Sequence, residues 1–499
     1  MDTFALTLPL AIAAAAPPLI WLFRRSPNLR EAVSFTAAAL VFLSMLPLAA
    51  AVLSGRIPQA TLCTLYPGIS LSLQADGLSV LFGLIAPFLW GFATSYNIGY
   101  MRGLDEHAQT RYYFCFALAI FGAVGVALSA TVFTLYLFYE LITIFTYPLV
   151  AHHQDESAFA GAQKYMTYLM GTSKLFLLPA MILTYVLCGT LDMRVGDIAA
   201  GMFPKDADPR LVTLTYFLYI AGLAKAAIIP FHNWLPSAMV APTPVSALLH
   251  AVAVVKAGVF SVSRIMLSGF GVETLTSLNL GLPTAFVASL TILAASVIAL
   301  TKTDLKARLA YSTVSQLSYV VLGLSLLTPD GIQGGIVHIA VHAFSKITLF
   351  FCAGAIYVAA HKKNINDMSG LGRTMPFTFA AFAVASLSMI GAPPVAGFVT
   401  KWKLLVGAME MPAYSTAILL VLLASTLLNV AYFAPVTYSA FFGKAPVGDG
   451  SGGGHGGARA GIHEAPLTML VPLLLTATLS VAIGLFPDTF MLFVKAVAR

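Results

Sequence analysis

The amino-acid sequence predicts an all-α fold: a polytopic membrane protein with about 14 transmembrane helices. Hydrophobic residues make up 59% of the 499 positions and charged residues only 9%. An average soluble protein carries about 25% charged residues. The apolar residues form long runs, many of them near the roughly 20 residues that a helix needs to span a bilayer. The charged residues fall mostly in the short segments between these runs.

The predicted helices follow directly from these apolar runs. They lie near 4–23, 32–54, 78–100, 112–130, 132–150, 164–188, 211–230, 243–268, 280–300, 308–328, 332–360, 376–408, 412–441 and 466–490. A tight break is expected from Ser129 to Thr131. We predict that the first helix is retained, because no basic residue precedes its apolar run, as a signal peptide would require.

The distribution of lysine and arginine predicts how the chain is oriented. If the loop after the first helix is cytoplasmic, the same side carries Arg24, Arg25, Arg30, Arg102, Arg111, Lys302, Lys306, Arg308, Lys362, Lys363, Arg373, Lys444 and Arg459. The other side keeps Arg56, Arg194, Lys205 and Arg210, diluted by acidic residues. Because positive loops stay inside, both termini are expected outside the cell, with the chain in the inner (cytoplasmic) membrane.

Composition and spacing argue against several other classes of protein. The net charge of +7 does not gather in a basic patch, so nucleic-acid binding is not expected. The four cysteines lie far apart and form no metal or disulfide framework. Phosphate-binding and dinucleotide-binding glycine motifs are not found, and we expect no bound cofactor. The glycine-rich segment 443–461 contains His455, and His463 follows it; a solvated linker is favoured there over a metal site.

One stretch, GLAKAAIIPFHNWLP, places Lys225 inside an apolar run that Pro230 then interrupts. A lysine near a helix end can extend its amine to the membrane surface, which is the plain interpretation. The alternative is a charge held at depth beside a broken helix, which in membrane proteins marks an ion path.

Other ionisable residues favour the ion path. Glu140 is the one acid that we identify deep in a predicted helix, and burial disfavours its charged form unless it finds a partner. Pairing with a neighbouring lysine that merely locks two helices is the alternative role. One acid cannot neutralise the basic groups predicted at depth, which are Lys174, Lys225, His250, Lys256, His338, His342, Lys346 and Lys401.

The spacing of the helix 11 residues indicates a proton relay. His338, His342 and Lys346 occur at i, i+4 and i+8 and therefore share one stripe of a helix. Histidine changes charge near neutral pH, so such a stripe can pass protons through water. Lys256 is a further path residue and His250 an additional candidate, whereas Lys174 is the weakest and is equally consistent with a helix anchor.

A second broken helix is predicted in SMIGAPPVAGFVTKWKLL, where Pro393 and Pro394 precede Lys401. The two breaks combine proline, lysine and tryptophan in opposite order. This is typical of an inverted internal repeat whose unwound turns line a hydrated cavity. Two unrelated proline kinks remain the alternative.

Taken together, these segments resemble the antiporter-like subunits shared by respiratory complex I, membrane-bound hydrogenases and multisubunit Mrp cation/proton antiporters. The resemblance rests on FYELITIFTYPLV, GLAKAAIIPFHNWLPSAMVAPTPVSALLHAVAVVKAG, TDLKARLAYSTVSQLSYVVLGL, HIAVHAFSKITLFFCAGAI, MSGLGRTMPFT and IGAPPVAGFVTKW. Lysine at position 401, where one complex I member carries glutamate, makes the chain look most like the D-type member of the Mrp antiporters.

The resemblance implies a particular organisation. Residues 1–111 would form helices 1–3, 112–268 and 280–441 two inverted five-helix repeats with broken helices 7 and 12, and 442–499 the linker and helix 14. It further implies a proton path through Glu140, Lys225, Lys256, His338, His342, Lys346 and Lys401. Glu140 and Lys225 would form a switchable pair, and Lys401 would gate exchange with one side.

The resulting functional hypothesis is a proton-translocating subunit of a multisubunit membrane complex, with no redox centre of its own. Its partners would be other membrane subunits, H⁺ and the lipid bilayer, with Na⁺/H⁺ exchange left open. The alternatives are a proton-pumping membrane-arm subunit of a complex I-like NADH:quinone oxidoreductase or membrane-bound hydrogenase, or a mainly scaffolding or quinone-associated subunit. A partner in a bicarbonate-uptake pair is a more remote alternative.

Overall fold

The computed structural model describes residues 2–411, 414–444 and 461–497, and its architecture is almost entirely helical. The first helices are α1 (Asp2–Leu22), α2 (Pro27–Leu53), α3 (Gly77–Gly103), α4 (Gln109–Ala127), α5 (Val132–Val150), α6 (Glu156–Cys188), α7 (Pro209–Gly222) and α8 (Thr243–Ser277). The remaining helices are α9 (Gly281–Thr301), α10 (Leu305–Ser325), α11 (Pro329–Ala360), α12a (Pro376–Ile390), α12b (Gly397–Met409), α13 (Ser415–Phe442), α14 (Leu467–Leu485) and α15 (Asp488–Lys495).

Within the described ranges, 11 helices are long and apolar enough to cross a membrane. The predicted spans outside this group are α7, α10 and the two halves of α12. The α7 helix is short, α10 is rich in polar residues and α12 is interrupted. All of them border the polar interior, so their departure from a simple apolar span indicates where the buried ionisable residues gather. α8 and α11 are the most enclosed of the long helices, and other helices pack around them.

Local capping explains where many helices begin. A side-chain oxygen of the residue before the helix accepts a hydrogen bond from a free backbone N–H of the first turn, which stabilises that helix end. The residues that do this are Asp76, Thr131, Asp155, Asp208, Asp304 and Thr328. The predicted tight break before Thr131 is confirmed, because α4 ends at Ala127 and α5 begins at Val132.

The first broken helix ends earlier than its apolar run predicts. The run extends to Pro230, but α7 stops at Gly222 and a single 3-10 turn, Ala224–Ala226, follows it. The freed backbone groups find side-chain partners: Trp234 donates its indole N–H to the Ala224 carbonyl at 3.0 Å. The Ile229 N–H donates to the Thr291 hydroxyl at 3.2 Å. Such partners are required where a helix unwinds away from water.

The second break separates α12a from α12b. Gly391 ends α12a with φ of 88°, a backbone conformation that favours glycine. The carbonyl of Met389 accepts from the Gln316 amide at 3.4 Å and from the Asn429 amide at 3.3 Å. The prediction of an all-α membrane fold with interrupted helices 7 and 12 is therefore confirmed. The two prolines, Pro393 and Pro394, lie in the break itself.

Two elements are additions to the predicted fold. An antiparallel hairpin of β1 (Gln59–Tyr66) and β2 (Ile69–Gln74) joins α2 to α3. An isolated bridge links Leu73 to Ser129, and the Leu191 N–H donates to the Gly68 carbonyl in the hairpin turn at 2.9 Å, so the hairpin packs on the connections that follow α4 and α6. The last predicted helix, 466–490, is in fact α14 followed by the short helix α15. Most of the glycine-rich linker, with His455, falls outside the described residues.

Candidate functional site

Glu140 on α5 is buried, with 7% of its surface exposed, and contacts two consecutive residues of α6. The Ser173 hydroxyl donates to one carboxylate oxygen. The Lys174 amine lies 3.5 Å from the other oxygen and 2.5 Å from the Tyr136 hydroxyl. Ser173 and Lys174 both belong to a π-helical turn, Ser173–Leu177, and such turns occur frequently at functional sites.

Lys225, by contrast, is fully buried and is held by neutral groups of α5. Its amine donates to the Tyr139 carbonyl at 2.8 Å and to the Thr143 hydroxyl at 2.7 Å. The amine also lies 3.2 Å from the centre of the Tyr139 ring. In the described part of the chain, no ion pair joins Lys225 to Glu140, and the acid pairs with Lys174. The expected Glu140–Lys225 pair is thus absent from this conformation.

A second group of ionisable residues lies where α8, α11 and α12b meet. The Lys256 amine is 2.5 Å from Nδ1 of His342. One turn away on α11, Nδ1 of His338 is 3.1 Å from the Thr400 hydroxyl. The two imidazole rings are 6.0 Å apart between centroids. The predicted helix 11 stripe therefore does bring its two histidines side by side.

The stripe continues to Lys346, and Lys401 flanks it from α12b. Lys346 donates to the Ser312 hydroxyl at 2.5 Å, so it reaches α10 rather than an acid. Lys401 donates to the Ile390 carbonyl, freed by the helix break, at 2.6 Å, and to the Thr426 hydroxyl at 2.9 Å. Each buried lysine of this group is thus bound by neutral acceptors, an arrangement that also accommodates an uncharged amine.

Several imidazole nitrogens in this region have no hydrogen-bond partner among the described residues. They are both ring nitrogens of His250 and Nε2 of His338 and His342. His250 stacks on Phe350, with ring centroids 4.6 Å apart, and lies on a π-helical turn of α8. Buried polar atoms normally bind a partner or ordered water. An imidazole with one occupied and one open nitrogen can take a proton at one side and release it at the other.

The structure therefore arranges the predicted path residues in two groups rather than in one unbroken row, and it adds Lys174, which was not predicted as a path residue, to the first of them. We call Glu140, Lys174 and Lys225 the first group, and Lys256, His338, His342, Lys346 and Lys401 the second group. The backbone connects the two groups at Gly258, two residues after Lys256 on α8. An added Cβ at Gly258 would lie 2.3 Å from the Lys225 carbonyl carbon. Only glycine allows this approach of α8 to the unwound end of α7.

Sequence reasoning misses a buried ion pair between α8 and the start of α3. Arg264 makes two hydrogen bonds to the Asp76 carboxylate, at 2.6 and 2.8 Å, and a third to the Ser79 hydroxyl at 2.8 Å. Both charged side chains are almost fully buried. No local signal could have revealed this pair, since Asp76 and Arg264 are 188 residues apart and each lies close to the end of an apolar run.

A polar cavity of about 450 Å³ opens beside the loops that follow α3, α5, α9 and α11. We call it the vestibule; its wall includes Glu106, His153, Asp155, Asp304 and Lys306. Burial opposes ionisation of Glu106, but the adjacent imidazoles of His152 and His153 hold the pKa of its carboxyl below the usual range. Deeper in the wall lie Tyr100 and Thr243, and Thr243 begins α8, the helix that carries His250 and Lys256.

Comparison with known proteins identifies the family. Residues 129–433 match the family described as NADH:quinone oxidoreductase/Mrp antiporter, transmembrane. NADH-quinone oxidoreductase subunit N of Desulforudis audaxviator is 32% identical over 493 residues, which cover 96% of this chain and 95% of the relative. Na⁺/H⁺ antiporter subunit A1 of Staphylococcus haemolyticus is 30% identical over 97% of this chain, but the match spans only 60% of that longer protein.

Solved structures share the complete fold. A chain of the Mrp complex from Dietzia sp. DQ12-45-1b superposes with a TM-score of 0.84 at 21% identity, covering 100% of this chain and 96% of its own length. A chain of an archaeal membrane-bound sulfane sulfur reductase, a respiratory membrane complex, gives a TM-score of 0.84 at 25% identity with the same coverage. The shared fold agrees with the family match. The family match over residues 129–433 and the relatives together show that this chain, a multi-pass membrane protein, belongs to the NADH:quinone oxidoreductase/Mrp antiporter transmembrane family.

Proposed function

We propose that this chain is a proton-translocating subunit of a multisubunit membrane complex, and that protons move along its two groups of buried ionisable residues. The observation that carries the proposal is the second group. It combines a direct Lys256–His342 contact at 2.5 Å with buried imidazole nitrogens that are free to bind water. Buried ionisable groups are costly in a membrane, so a concentration of them calls for a functional reason.

In this mechanism the lysines alternate between charged and neutral forms. In the conformation described above, Lys225 donates to neutral acceptors and Glu140 pairs with Lys174. In the other conformation, Lys225 leaves its neutral acceptors and pairs with Glu140. A change in the charge near Lys225 alters the proton affinity of the second group through electrostatic interaction at low dielectric. The proton then moves through Lys256 and the stripe of His338, His342 and Lys346 to Lys401, with water bridging the gaps between them.

The vestibule offers an access route from the side of the loops that follow α3 and α5. It reaches Thr243 at the start of α8, and α8 leads to His250 and Lys256. Lys401 lies in α12b beyond the second break, so it is positioned to exchange protons with the opposite side. The two halves, 112–268 and 280–441, would act as the inverted repeats of this mechanism, each with one broken helix.

Proton flux in vesicles that contain the assembled complex tests this proposal. Lys256→Met removes the titratable amine but keeps a side chain of similar length, and we expect at least a tenfold loss of flux. Lys205→Met is the matched control, because the Lys205 side chain is 96% exposed and belongs to the loop between α6 and α7. If Lys256→Met assembles normally and retains the flux of the unmodified complex, the proposed path is wrong.

A second candidate is a proton-pumping membrane-arm subunit of a redox-driven, complex I-like enzyme or hydrogenase. The specific observation in its favour is the likeness to the NADH-quinone oxidoreductase relative over 95% of that relative's length. Copurified iron–sulfur subunits and quinone reductase activity would support this candidate. A complex with antiporter subunits alone, and a cation dependence of proton flux, would support an Mrp-type antiporter. Close kinship with the D-type member of the Mrp antiporters stays a prediction.

We further propose that the chain lies in the cytoplasmic membrane with both termini outside. The hairpin, which carries the exposed Cys63, would then face outward. An impermeant maleimide should label Cys63 in intact cells, and Cys63→Ala should lose that labelling. In the Cys63→Ala background, Ser26→Cys in the loop before α2 should react only after the cells are opened. The reverse pattern would overturn the orientation.

A further inference from the structure

The mouth of the vestibule holds a cluster of metal-ligating side chains that the proton path does not use. Glu106 and His107 belong to the loop after α3, and His152 and His153 belong to the loop after α5. Ligand atoms of Glu106, His107 and His152 all lie within 4.8 Å of one another. The two loops are far apart in sequence, so only the packing of α3, α4 and α5 brings these residues together.

The distances approach those of a metal centre. Oε2 of Glu106 is 3.6 Å from Nε2 of His152 and 3.7 Å from Nδ1 of His153. Two ligands that each bind a tetrahedral Zn²⁺ at about 2.1 Å are about 3.4 Å apart. The His107 and His152 rings are 4.8 Å apart between centroids. Rotation of the exposed His107 and His153 side chains would complete a set of three nitrogen donors and one carboxylate.

His152 is the strongest indication that the cluster binds something. Its side chain is fully buried, yet neither ring nitrogen has a hydrogen-bond partner in the part of the chain that the structure describes. A buried imidazole without partners is costly, and a metal ion bound at Nε2 would satisfy it. The Glu106 carboxylate lies 3.6 Å from Nε2, just beyond hydrogen-bond distance, so an ion held between the two groups would be bound by both.

The surrounding charges are mixed. The Arg111 guanidinium donates to the His152 carbonyl at 2.9 Å, and Lys306 lies in the vestibule wall. Asp155 lies in the same wall and adds a negative charge beside His153. Two carboxylates therefore offset part of the charge of a divalent ion. Nitrogen donors favour Zn²⁺, Cu²⁺, Ni²⁺ or Co²⁺ over Mg²⁺ or Ca²⁺, which require oxygen ligands.

We propose that Glu106, His107, His152 and His153 form a binding site for a divalent transition-metal ion, with Zn²⁺ as the physiological type, at the mouth of the vestibule. The ion links the loop after α3 to the loop after α5. Because Glu106 and His153 also line the vestibule, the bound ion lies beside the proposed access route. Binding itself does not depend on proton transport, so the site is testable whether or not the proposed function holds.

Titration of the purified full-length chain in detergent, without a histidine tag, tests the site with Co²⁺ and Zn²⁺. We expect one Co²⁺ ion per chain, with the visible absorption of four-coordinate cobalt, displaced by Zn²⁺. His107→Ala changes an exposed residue, and Glu106→Gln keeps the shape of the side chain. Each should weaken binding about tenfold or more, because loss of even an outer-shell partner of a metal ligand costs about 10–100-fold in affinity.

His463→Ala is the matched control, since it removes an exposed histidine from a different loop. It should bind Co²⁺ like the unmodified chain. The site is refuted if the unmodified chain binds no Co²⁺, if both ligand variants elute as folded protein and bind with unchanged affinity, or if His463→Ala abolishes binding.

Discussion

At the scale of single residues, the buried lysines are distinguished by the neutrality of their partners. Lys225 and Lys401 each donate to one main-chain carbonyl and one threonine hydroxyl. A carbonyl and a hydroxyl accept from either an ammonium or an amine, so neither lysine is bound to an acid in this conformation. This freedom to lose a proton is what a carrier needs, whereas a structural ion pair would hold the charge in place.

Replacing Lys225 by arginine separates charge from proton exchange. Arginine keeps the positive charge but does not release its proton under physiological conditions. If Lys225 carries protons, Lys225→Arg should assemble yet reduce proton flux at least tenfold, and Lys225→Ala should do the same. Lys205→Arg, at an exposed lysine, serves as the control in the same vesicle assay. Normal flux in Lys225→Arg would assign this lysine a purely electrostatic role.

The contact between Glu140 and Lys174 makes a second prediction at this scale. If the two side chains act as one unit, their substitutions should not be additive. We expect Glu140→Gln to reduce flux strongly and Lys174→Met to reduce it less. The double variant should then match Glu140→Gln alone. Additive losses in this double-mutant cycle would show that Lys174 acts independently, as a helix anchor that happens to lie near the acid.

At the scale of elements, the interrupted helices create the sites rather than merely accommodating them. The break after Ile390 frees the carbonyl to which Lys401 donates. The end of α7 at Gly222 leaves Lys225 in a short turn, where its own N–H donates to the Tyr139 hydroxyl at 3.1 Å. Regular helices would consume these backbone groups internally. The unwound segments therefore supply polar contacts at a depth where water is scarce.

Gly258 is the position at which helix packing should be most sensitive. An alanine Cβ there would meet the backbone of Lys225 and Ala226, at 2.3 and 2.4 Å, and backbone cannot move aside as a flexible side chain can. We expect Gly258→Ala to displace α8 from the first break and to lower flux or assembly severely. Gly91→Ala is the matched control, because a Cβ at Gly91 in α3 meets no atom within 4 Å. Equal behaviour of the two variants would contradict this account.

At the scale of the whole molecule, the buried Asp76–Arg264 ion pair joins α8 to the start of α3. Removing one member of a buried ion pair leaves an uncompensated charge and costs about 3–5 kcal/mol. Asp76→Asn should therefore lower the apparent melting temperature of the detergent-solubilised chain by several degrees. Asp206→Asn, at an exposed loop acid, should leave that temperature unchanged. The double variant Asp76→Asn/Arg264→Met should be less destabilised than Asp76→Asn, since it removes both charges.

Failure of that ordering would also be informative about the whole molecule. If Asp76→Asn melts like the unmodified chain, the pair contributes no net stability, and its role must be sought in transport instead. Proton flux measured on the same variant then distinguishes a structural clamp from a further charge of the path.

The sequence by itself determined the membrane class, the order of helices and the two interruptions. Apolar run length and charge placement are local properties, and the bilayer imposes one length on every span. It also singled out Glu140, Lys225, Lys256 and the helix 11 stripe, because an ionisable residue inside an apolar run is conspicuous without any knowledge of its neighbours. The hairpin was not predicted, because its strands, QATLCTLY and ISLSLQ, alternate apolar and polar residues about a Pro-Gly turn, and apolar run length does not detect that period of two.

Only the tertiary structure decided which of these residues meet. Lys174 rather than Lys225 contacts Glu140, and Lys256 contacts His342. Asp76 forms an ion pair with Arg264, which lies 188 residues away in the sequence. Glu106 and the paired histidines come together in the same way, through the packing of separate helices. The physical reason is that spacing along one helix predicts which side chains share a face, whereas contacts between helices depend on how those faces pack. In this protein the contacts among the buried ionisable side chains lie almost entirely between helices.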